Sequence, residues 1–283
     1  MLASPSTSSI LKISQPPRNS LANIAGSWAL ACVILLFCSS AKAEIAVTLP
    51  PLAGLVKLLL PESDVSCLLP GNADPHHFSL TPKRVERLRQ TELLVRTSAD
   101  DGAWRGLPSD IETMDVWPEM GHAWLLPTEV QQALPRLAEA LARTYPAKAQ
   151  AIAAGLEKAL AETEAVAHEI ESTLGPLRAR GVIMQHPSWQ AFCRHFGIEI
   201  LNVLEAHRHG YESGPRRLQE ALAQLQARPD SVLWGDARDN VQSLHWLADH
   251  AQDAPIHLLD PLGACGTSWS ELMRQNLAIM VAA

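Results

Sequence analysis

Short apolar runs alternate with helical stretches along most of the chain, and this alternation constrains the fold more than any other feature of the sequence. The runs with the length and composition of strands are 45–49, 65–69, 93–97, 182–184, 198–204, 232–234 and 256–258. Most of them are followed by a stretch with helical periodicity. Such alternation is typical of mainly parallel sheets whose faces are covered by helices. The sequence therefore predicts an α/β fold.

The middle of the chain departs from this rhythm. A helical pattern runs from a capping box at Thr128 and Gln131 to about residue 145, with Pro135 inside it as an expected kink. A second helix is predicted over 147–173, ending before Gly175. We predict two lobes of parallel sheet joined by one long rigid helix, with an N-terminal lobe over 44–145, the connecting helix over 146–174 and a C-terminal lobe over 175–283. The alternative is a two-helix insertion in one continuous sheet.

The first 43 residues have the features of a secretory signal peptide. Lys12 and Arg18 precede an apolar run over about 24–38, and residues 41–43 read AKA, an A-x-A-type cleavage site. The apolar run falls short of the ~20 residues that a membrane-spanning helix needs, so a membrane anchor is the less favoured alternative. We expect an exported, periplasmic protein whose mature chain begins at Glu44.

The charge balance excludes some classes of partner. The segment 1–43 holds three of the 23 basic residues and none of the 30 acidic ones, so the mature chain has 20 against 30, a formal net charge of −10. No run of Lys or Arg is present. An acidic protein without a basic patch is not expected to bind nucleic acid or an anionic membrane surface. We expect a monomer.

Three cysteines remain after the signal segment, namely Cys67, Cys193 and Cys265. In an oxidising compartment an odd number permits at most one internal disulfide and leaves one thiol over. Cys193 is expected to be the remaining thiol, because it shares one apolar helix face with Trp189, Phe192 and Phe196.

The usual catalytic motifs are absent from the sequence, and the conspicuous feature is where certain histidines fall. His76 follows the predicted strand 65–69, His186 follows 182–184 and Asp260 follows 256–258, while His122 precedes the helix predicted from Thr128. In open parallel sheets the carboxyl ends of the strands line the ligand crevice. Three imidazoles and a carboxylate suit a borderline divalent ion, above all zinc.

Four segments, in order, resemble the metal-binding elements of the solute-binding proteins of zinc and manganese ABC importers. Residues 69–82 read LPGNADPHHFSLTP, 121–127 read GHAWLLP, 185–192 read QHPSWQAF and 258–263 read LLDPLG. The resemblance covers essentially the whole mature chain, including the long connecting helix. It implies that the metal ligands are His76, His122, His186 and Asp260.

The resemblance also implies the function. We expect a zinc-type receptor that binds Zn²⁺ as its transported ligand and delivers it to an ABC permease in the inner membrane, with no catalytic turnover. A receptor of the same family for Mn²⁺ or Fe²⁺ is the nearest alternative, and the nitrogen ligand at His186 favours zinc over manganese.

Further residues could supply accessory ligands. His77 adjoins His76, and Glu205, His207 and His209 follow the strand predicted over 198–204. Two more functions stay open at this point. One is a secreted zinc-dependent hydrolase with Glu205 as general base, and the other is a metal-dependent surface adhesin.

Overall fold

Two parallel four-stranded sheets organise the part of the chain that the structure describes. The computed structural model describes residues 44–71, 73–102, 104, 106–205 and 214–282. The predicted signal peptide over 1–43 lies outside these residues. Among the helices that are described, none is both long and apolar enough to cross a membrane.

The first sheet has the strand order β2-β1-β3-β4, and all its neighbouring strands are parallel. Its strands and the helices around it are β1 (Glu44–Val47), α1 (Pro50–Leu59), β2 (Asp64–Cys67), α2 (Pro82–Leu88), β3 (Leu93–Ser98), β4 (Thr113–Trp117) and α3 (Pro127–Thr144). The central strand β1 pairs on both sides, with Val47 opposite both Cys67 and Val95. Its apolar side chains are fully buried because helices cover both faces of the sheet.

A long helix, α4 (Ala149–Thr173), follows the first sheet after a 3₁₀ turn at Pro146–Lys148. Its 25 residues span about 37 Å. The helix packs against both α1 and α3. Its buried stripe consists of Ile152, Gly155, Ala159, Thr163, Val166 and Ile170. The sequence pattern alone favours Leu156 in this stripe, but the structure buries Gly155 and leaves Leu156 half-buried.

The second sheet repeats the topology of the first, with the order β6-β5-β7-β8 and parallel pairing throughout. Its elements are α5 (Gly175–Arg180), β5 (Val182–Met184), α6 (Gln190–His195), β6 (Ile200–Val203), α7 (Pro215–Ala227), β7 (Val232–Asp236), α8 (Gln242–His250), β8 (Ile256–Leu259) and α9 (Trp269–Met280). In each sheet the connections diverge at the two central strands, β1 and β3 in one and β5 and β7 in the other. Such switch points are where open α/β sheets bind ligands.

The C-terminal helix α9 packs against elements that belong to both sheets' halves of the fold. It contacts α1 and α4 as well as β8. The indole of Trp269 donates to the carbonyl oxygen of Trp124 at 2.7 Å, and a disulfide joins Cys67, at the end of β2, to Cys265, in the loop after β8. The predicted fold class, two lobes of parallel sheet with a long helix between them, is confirmed. The lobe boundaries over 44–145, 146–174 and 175–283 stay a prediction.

Two local predictions are wrong. Strand β4 was not predicted, because its sequence is short and its exposed edge carries polar side chains such as Thr113 and Asp115. The capping box at Thr128 is not formed either. Helix α3 instead begins at Pro127, after an N-cap at Leu126 that makes no side-chain hydrogen bond. Proline suits the first helical position because it has no N–H to satisfy there and its φ is already helical.

Cys193 is a free cysteine and is fully buried on α6, as its apolar neighbours predict. Burial raises the pKa of its thiol, since the thiolate would lose its hydration. We expect a folded chain that begins at Glu44 not to react with thiol reagents, because Cys193 is buried and the other two cysteines form a disulfide. In denaturant without reductant, the same chain should take up one equivalent of reagent. Counting modified cysteines by mass spectrometry tests this prediction. The prediction would be contradicted if the folded wild-type protein reacted with such a reagent.

Candidate metal site

The loop after β2 brings His76 to the carboxyl edge of the first sheet. The carboxylate of Asp74 accepts a hydrogen bond of 2.8 Å from the backbone N–H of His76 and so caps the 3₁₀ turn Pro75–His77. The indole of Trp104 donates to the carbonyl oxygen of Pro75, also at 2.8 Å. These two bonds hold the turn in place from both sides.

The two adjacent histidines have different surroundings. His77 is exposed, and its Nδ1 lies 2.5 Å from the Asp74 carboxylate. His76 is half-buried, and its ring lies 5.4 Å from that of His186 between ring centroids. The structure thus places His76 with His122 and His186, and it places His77 beside Asp74 at the surface.

His122 lies in the connection between β4 and α3, in the left-handed backbone region with φ of 54°. This conformation is uncommon outside glycine and is characteristic of strained functional positions. The backbone N–H of His122 donates to Asp100 at 3.0 Å, and its Nδ1 lies 3.6 Å from the same carboxylate. Burial raises the pKa of Asp100 to about 7, despite the hydrogen bond from His122, which lowers it. Asp100 therefore positions His122 through both backbone and ring.

His186 follows β5 directly and precedes Pro187, which begins the next turn. It is buried, with 6% of its surface exposed, and its Nδ1 lies 3.5 Å from the carboxylate of Glu205 at the end of β6. Burial by itself lowers the pKa of His186. The hydrogen bond with Glu205 and the charges of Asp236 and Asp239 outweigh that effect, so the pKa is raised overall.

The three histidines converge although they lie far apart in the chain. One ligating atom from each of His76, His122 and His186 lies within 4.8 Å of the other two. The remaining ring-centroid distances are 6.2 Å for His76 to His122 and 5.6 Å for His122 to His186. Nitrogens around a tetrahedral zinc ion lie ~3.3 Å apart, so small side-chain shifts suffice to close the set on one ion. Two of these imidazoles come from loops of the first sheet and one from the second.

Asp260 is placed differently from the three histidines. It follows β8, but it is not part of the converging group, and it does not line the cavity that the histidines share. One carboxylate oxygen accepts hydrogen bonds from the backbone N–H groups of Leu262 and Gly263, each at 3.0 Å. The other oxygen lies 3.2 Å from the guanidinium of Arg238.

The cavity around the histidines has a volume of about 370 Å³ and a strongly acidic lining. Its charged residues other than histidine are Asp74, Asp100, Glu205, Asp236, Asp239 and Arg238. Asp236 is buried and accepts a hydrogen bond from the Ser188 hydroxyl, and burial raises its pKa to about 7. Glu205 lies in the cavity, whereas the other two residues predicted with it, His207 and His209, lie outside the described residues.

Asp100, Asp236 and Arg238 were not among the residues predicted from the sequence. Asp100 lies just after β3 and Asp236 is the last residue of β7, and both strands are central in their sheets. The same strand-end argument that selected the histidines could have selected these two carboxylates. Nothing in the local sequence points to Arg238, because its contact with Asp260 joins residues 22 positions apart.

Comparison with known proteins identifies the family of this chain. The family model described as ZnuA, the periplasmic component A of zinc-uptake complexes, matches residues 45–283. A Thermotoga maritima protein provisionally named as metal-binding is 26% identical over 254 residues, which is 83% of this chain and 91% of the relative. The high-affinity zinc uptake system protein ZnuA of Paracoccus denitrificans is 36% identical over 78 residues, 28% of this chain and 24% of the relative.

Solved structures share the fold. A crystal structure of ZnuA superposes with a TM-score of 0.74 at 24% identity, over 83% of this chain and 97% of the other. A manganese-bound periplasmic metal-binding protein from Candidatus Liberibacter asiaticus gives 0.73 at 13% identity, over 85% and 98%. Because the family model spans nearly all of the described chain, this protein belongs to the ZnuA family of periplasmic metal-binding receptors, which are transport proteins and not enzymes.

Proposed function

We propose that this protein is a zinc receptor that binds Zn²⁺ between His76, His122 and His186 and delivers it to an ABC permease in the inner membrane. The observation that carries the proposal is the convergence of three imidazoles from different loops within 4.8 Å. Neutral imidazole nitrogens suit zinc, whereas manganese favours carboxylate and carbonyl oxygens. The zinc-uptake description of the family supports the same choice, and family membership excludes the secreted hydrolase with Glu205 as general base.

Two carboxylates in the cavity lie beside the imidazole rings of the proposed ligands. Asp100 lies beside Nδ1 of His122, and Glu205 lies beside Nδ1 of His186. Carboxylates in such positions orient metal-bound histidines and make them better ligands. We assign the Glu205 carboxylate this orienting role. His77 has no assigned role at the ion, because its ring faces Asp74 at the surface.

Release to a permease requires that the loaded and empty receptors differ. The three imidazoles belong to loops of two different sheets, so an ion held by all three couples the positions of those loops to occupancy. A permease that contacts both loops then favours the loaded form by its differential affinity for the two states. The long helix α4 packs along both α1 and α9 and limits the movement to small tilts and loop adjustments.

The proposal predicts that each imidazole is needed for tight binding. We expect His76→Ala, His122→Ala and His186→Ala each to weaken Zn²⁺ binding by more than about 100-fold, since changes to residues that merely orient a ligand already cost 10- to 100-fold. Competitive titration against a chromophoric chelator, with elemental analysis of the purified protein, measures the effect. His168→Ala is the matched control, because His168 is exposed on α4, away from the cavity.

Stoichiometric zinc in all three variants would overturn the site. Tighter binding of Mn²⁺ or Fe²⁺ than of Zn²⁺ by the wild type would keep the site and replace the proposed cargo. The transport role is tested by zinc uptake in a zinc-limited bacterium that lacks its own receptor. The wild type should restore uptake when expressed with its permease, and the His122→Ala/His186→Ala variant should not.

A further inference from the structure

We propose that the disulfide between Cys67 and Cys265 slows the release of zinc, and that its reduction by a dithiol speeds that release. The bond ties the β8–α9 loop, residues 260–268, to the end of β2. The inference rests on the proposed function, because it concerns release from the histidine cavity. It adds redox control by two cysteines that lie outside the group of converging histidines.

The β8–α9 loop is fixed at its start to the second sheet. The Asp260 carboxylate accepts hydrogen bonds from the backbone N–H groups of Leu262 and Gly263, each at 3.0 Å. The guanidinium of Arg238, which follows β7, donates to the same carboxylate at 3.2 Å and to the carbonyl oxygen of Gly263 at 2.6 Å. The backbone N–H and C=O of Asp260 also bond to the side-chain amide of Asn276 on α9, both at 2.8 Å. The start of the loop therefore moves with the second sheet.

The same loop is joined to the first sheet at two further points. The indole N–H of Trp124, two residues after His122, donates to the carbonyl oxygen of Pro261 at 2.6 Å in a buried contact. The disulfide attaches Cys265, at the exposed tip of the loop, to Cys67, the last residue of β2. One short loop thus links the two sheets through a hydrogen bond and a covalent bond.

These links lie beside the zinc cavity. Pro261 and Leu262 line the cavity together with the three histidines. His76 is carried by the loop that follows β2, the strand that ends at Cys67. An ion held by imidazoles from both sheets leaves only when those imidazoles move apart. A covalent cross-link excludes conformations in which its two ends separate, so the disulfide should make such openings rarer.

Reduction would remove this restriction by thiol–disulfide exchange. A thiolate of the dithiol attacks the exposed sulfur of Cys265 and displaces the Cys67 thiolate, and the second thiol of the reductant then resolves the mixed disulfide. Two electrons and two protons pass to the protein, which gains two thiols, while the reductant becomes a disulfide. Cys193 is buried and takes no part in the exchange.

The test measures the rate at which zinc-loaded protein gives up its ion to an excess of a chromophoric chelator in a stopped-flow instrument. Four forms are compared: oxidised wild type, Cys67→Ser/Cys265→Ser, wild type reduced and alkylated with iodoacetamide, and wild type reduced and bridged again with dichloroacetone. Reductant is removed before zinc is added. Serine, alkylation and the new bridge all prevent the cysteine thiols from binding zinc themselves.

A stability control separates the cross-link from a general loss of stability. Leu225→Ala removes a buried side chain of α7 from an apolar cluster that does not include the β8–α9 loop. Circular dichroism shows that each form is folded at the temperature of the assay.

We expect zinc to leave the serine variant and the alkylated protein about tenfold faster than it leaves oxidised wild type, a usual size for coupling between two sites. The bridged protein should return close to the oxidised rate, because dichloroacetone restores a covalent link between the same two residues. Leu225→Ala should release zinc at the wild-type rate.

Equal rates for oxidised wild type and the folded serine variant would overturn the inference. It would also be overturned if Leu225→Ala released zinc as fast as the serine variant, since lost stability would then explain the effect. Either result leaves the receptor site intact if the histidine variants still lose zinc. Weak zinc binding by oxidised wild type would instead mark the failure of the proposed function.

Discussion

Replacing Gly155 by alanine is expected to destabilise the protein by about 3 kcal/mol, although alanine is the better helix former. Gly155 lies on the buried stripe of α4, where the helix crosses the end of α1. A Cβ atom built on Gly155 would overlap the carbonyl oxygen of Leu59 and lie 2.8 Å from its carbonyl carbon. Both are backbone atoms, so no change of rotamer relieves the overlap, and the two helices must separate.

Urea unfolding followed by circular dichroism measures this loss as a lower midpoint. Gly175→Ala is the matched control, because Gly175 is exposed at the start of α5 and has open space where a Cβ would lie. The control should unfold at or slightly above the wild-type midpoint. If Gly155→Ala were as stable as Gly175→Ala, the close approach of α4 to α1 would be refuted.

Removing the disulfide is expected to lower the free energy of unfolding by about 3–5 kcal/mol, because the bond restricts an unusually long loop of the unfolded chain. Cys67 and Cys265 are separated by 198 positions. The bond also joins the end of β2 in the first sheet to the loop after β8 in the second. The variant Cys67→Ser/Cys265→Ser removes it without leaving new thiols.

The comparison is made with and without reductant. Reduced wild type and the double serine variant should unfold at similar urea concentrations, well below oxidised wild type, and reductant should not affect the variant. Peptide mapping under non-reducing conditions identifies the bond itself. Equal midpoints for oxidised wild type and the variant would mean that this bond contributes nothing to stability.

The secondary structure was largely predictable because parallel strands that are buried on both faces appear in the sequence as continuous apolar runs. Apolar runs such as 93–97 and 232–234 correspond closely to β3 and β7, since both faces of those strands are covered. Strand β4 gave a weaker signal because it pairs on one side with β3 only, and its exposed positions are polar. The start of α3 was misplaced because Thr128 had the sequence of a cap while Pro127 already occupied the first helical position.

Within the candidate site, the sequence selected the three histidines that converge, together with Asp260, which lies outside that group. His76 and His186 follow strands that the sequence predicts, whereas His122 follows β4, which it does not predict. The choice of His76 over His77 was open in the sequence. It depends on Asp74, which caps the turn and pairs with the second imidazole.

The sequence by itself determined the α/β class, the long helix between two sheets and the free buried Cys193, and it selected His76, His122 and His186, together with Asp260, as candidate metal ligands. These features depend on local periodicity and on position along a strand, which the order of residues records directly. Tertiary structure decided the close contact at Gly155 and the pairing of Asp260 with Arg238. Both depend on distances between residues remote in the chain, and a short distance between two backbones or two charges arises only when the packed elements bring them together.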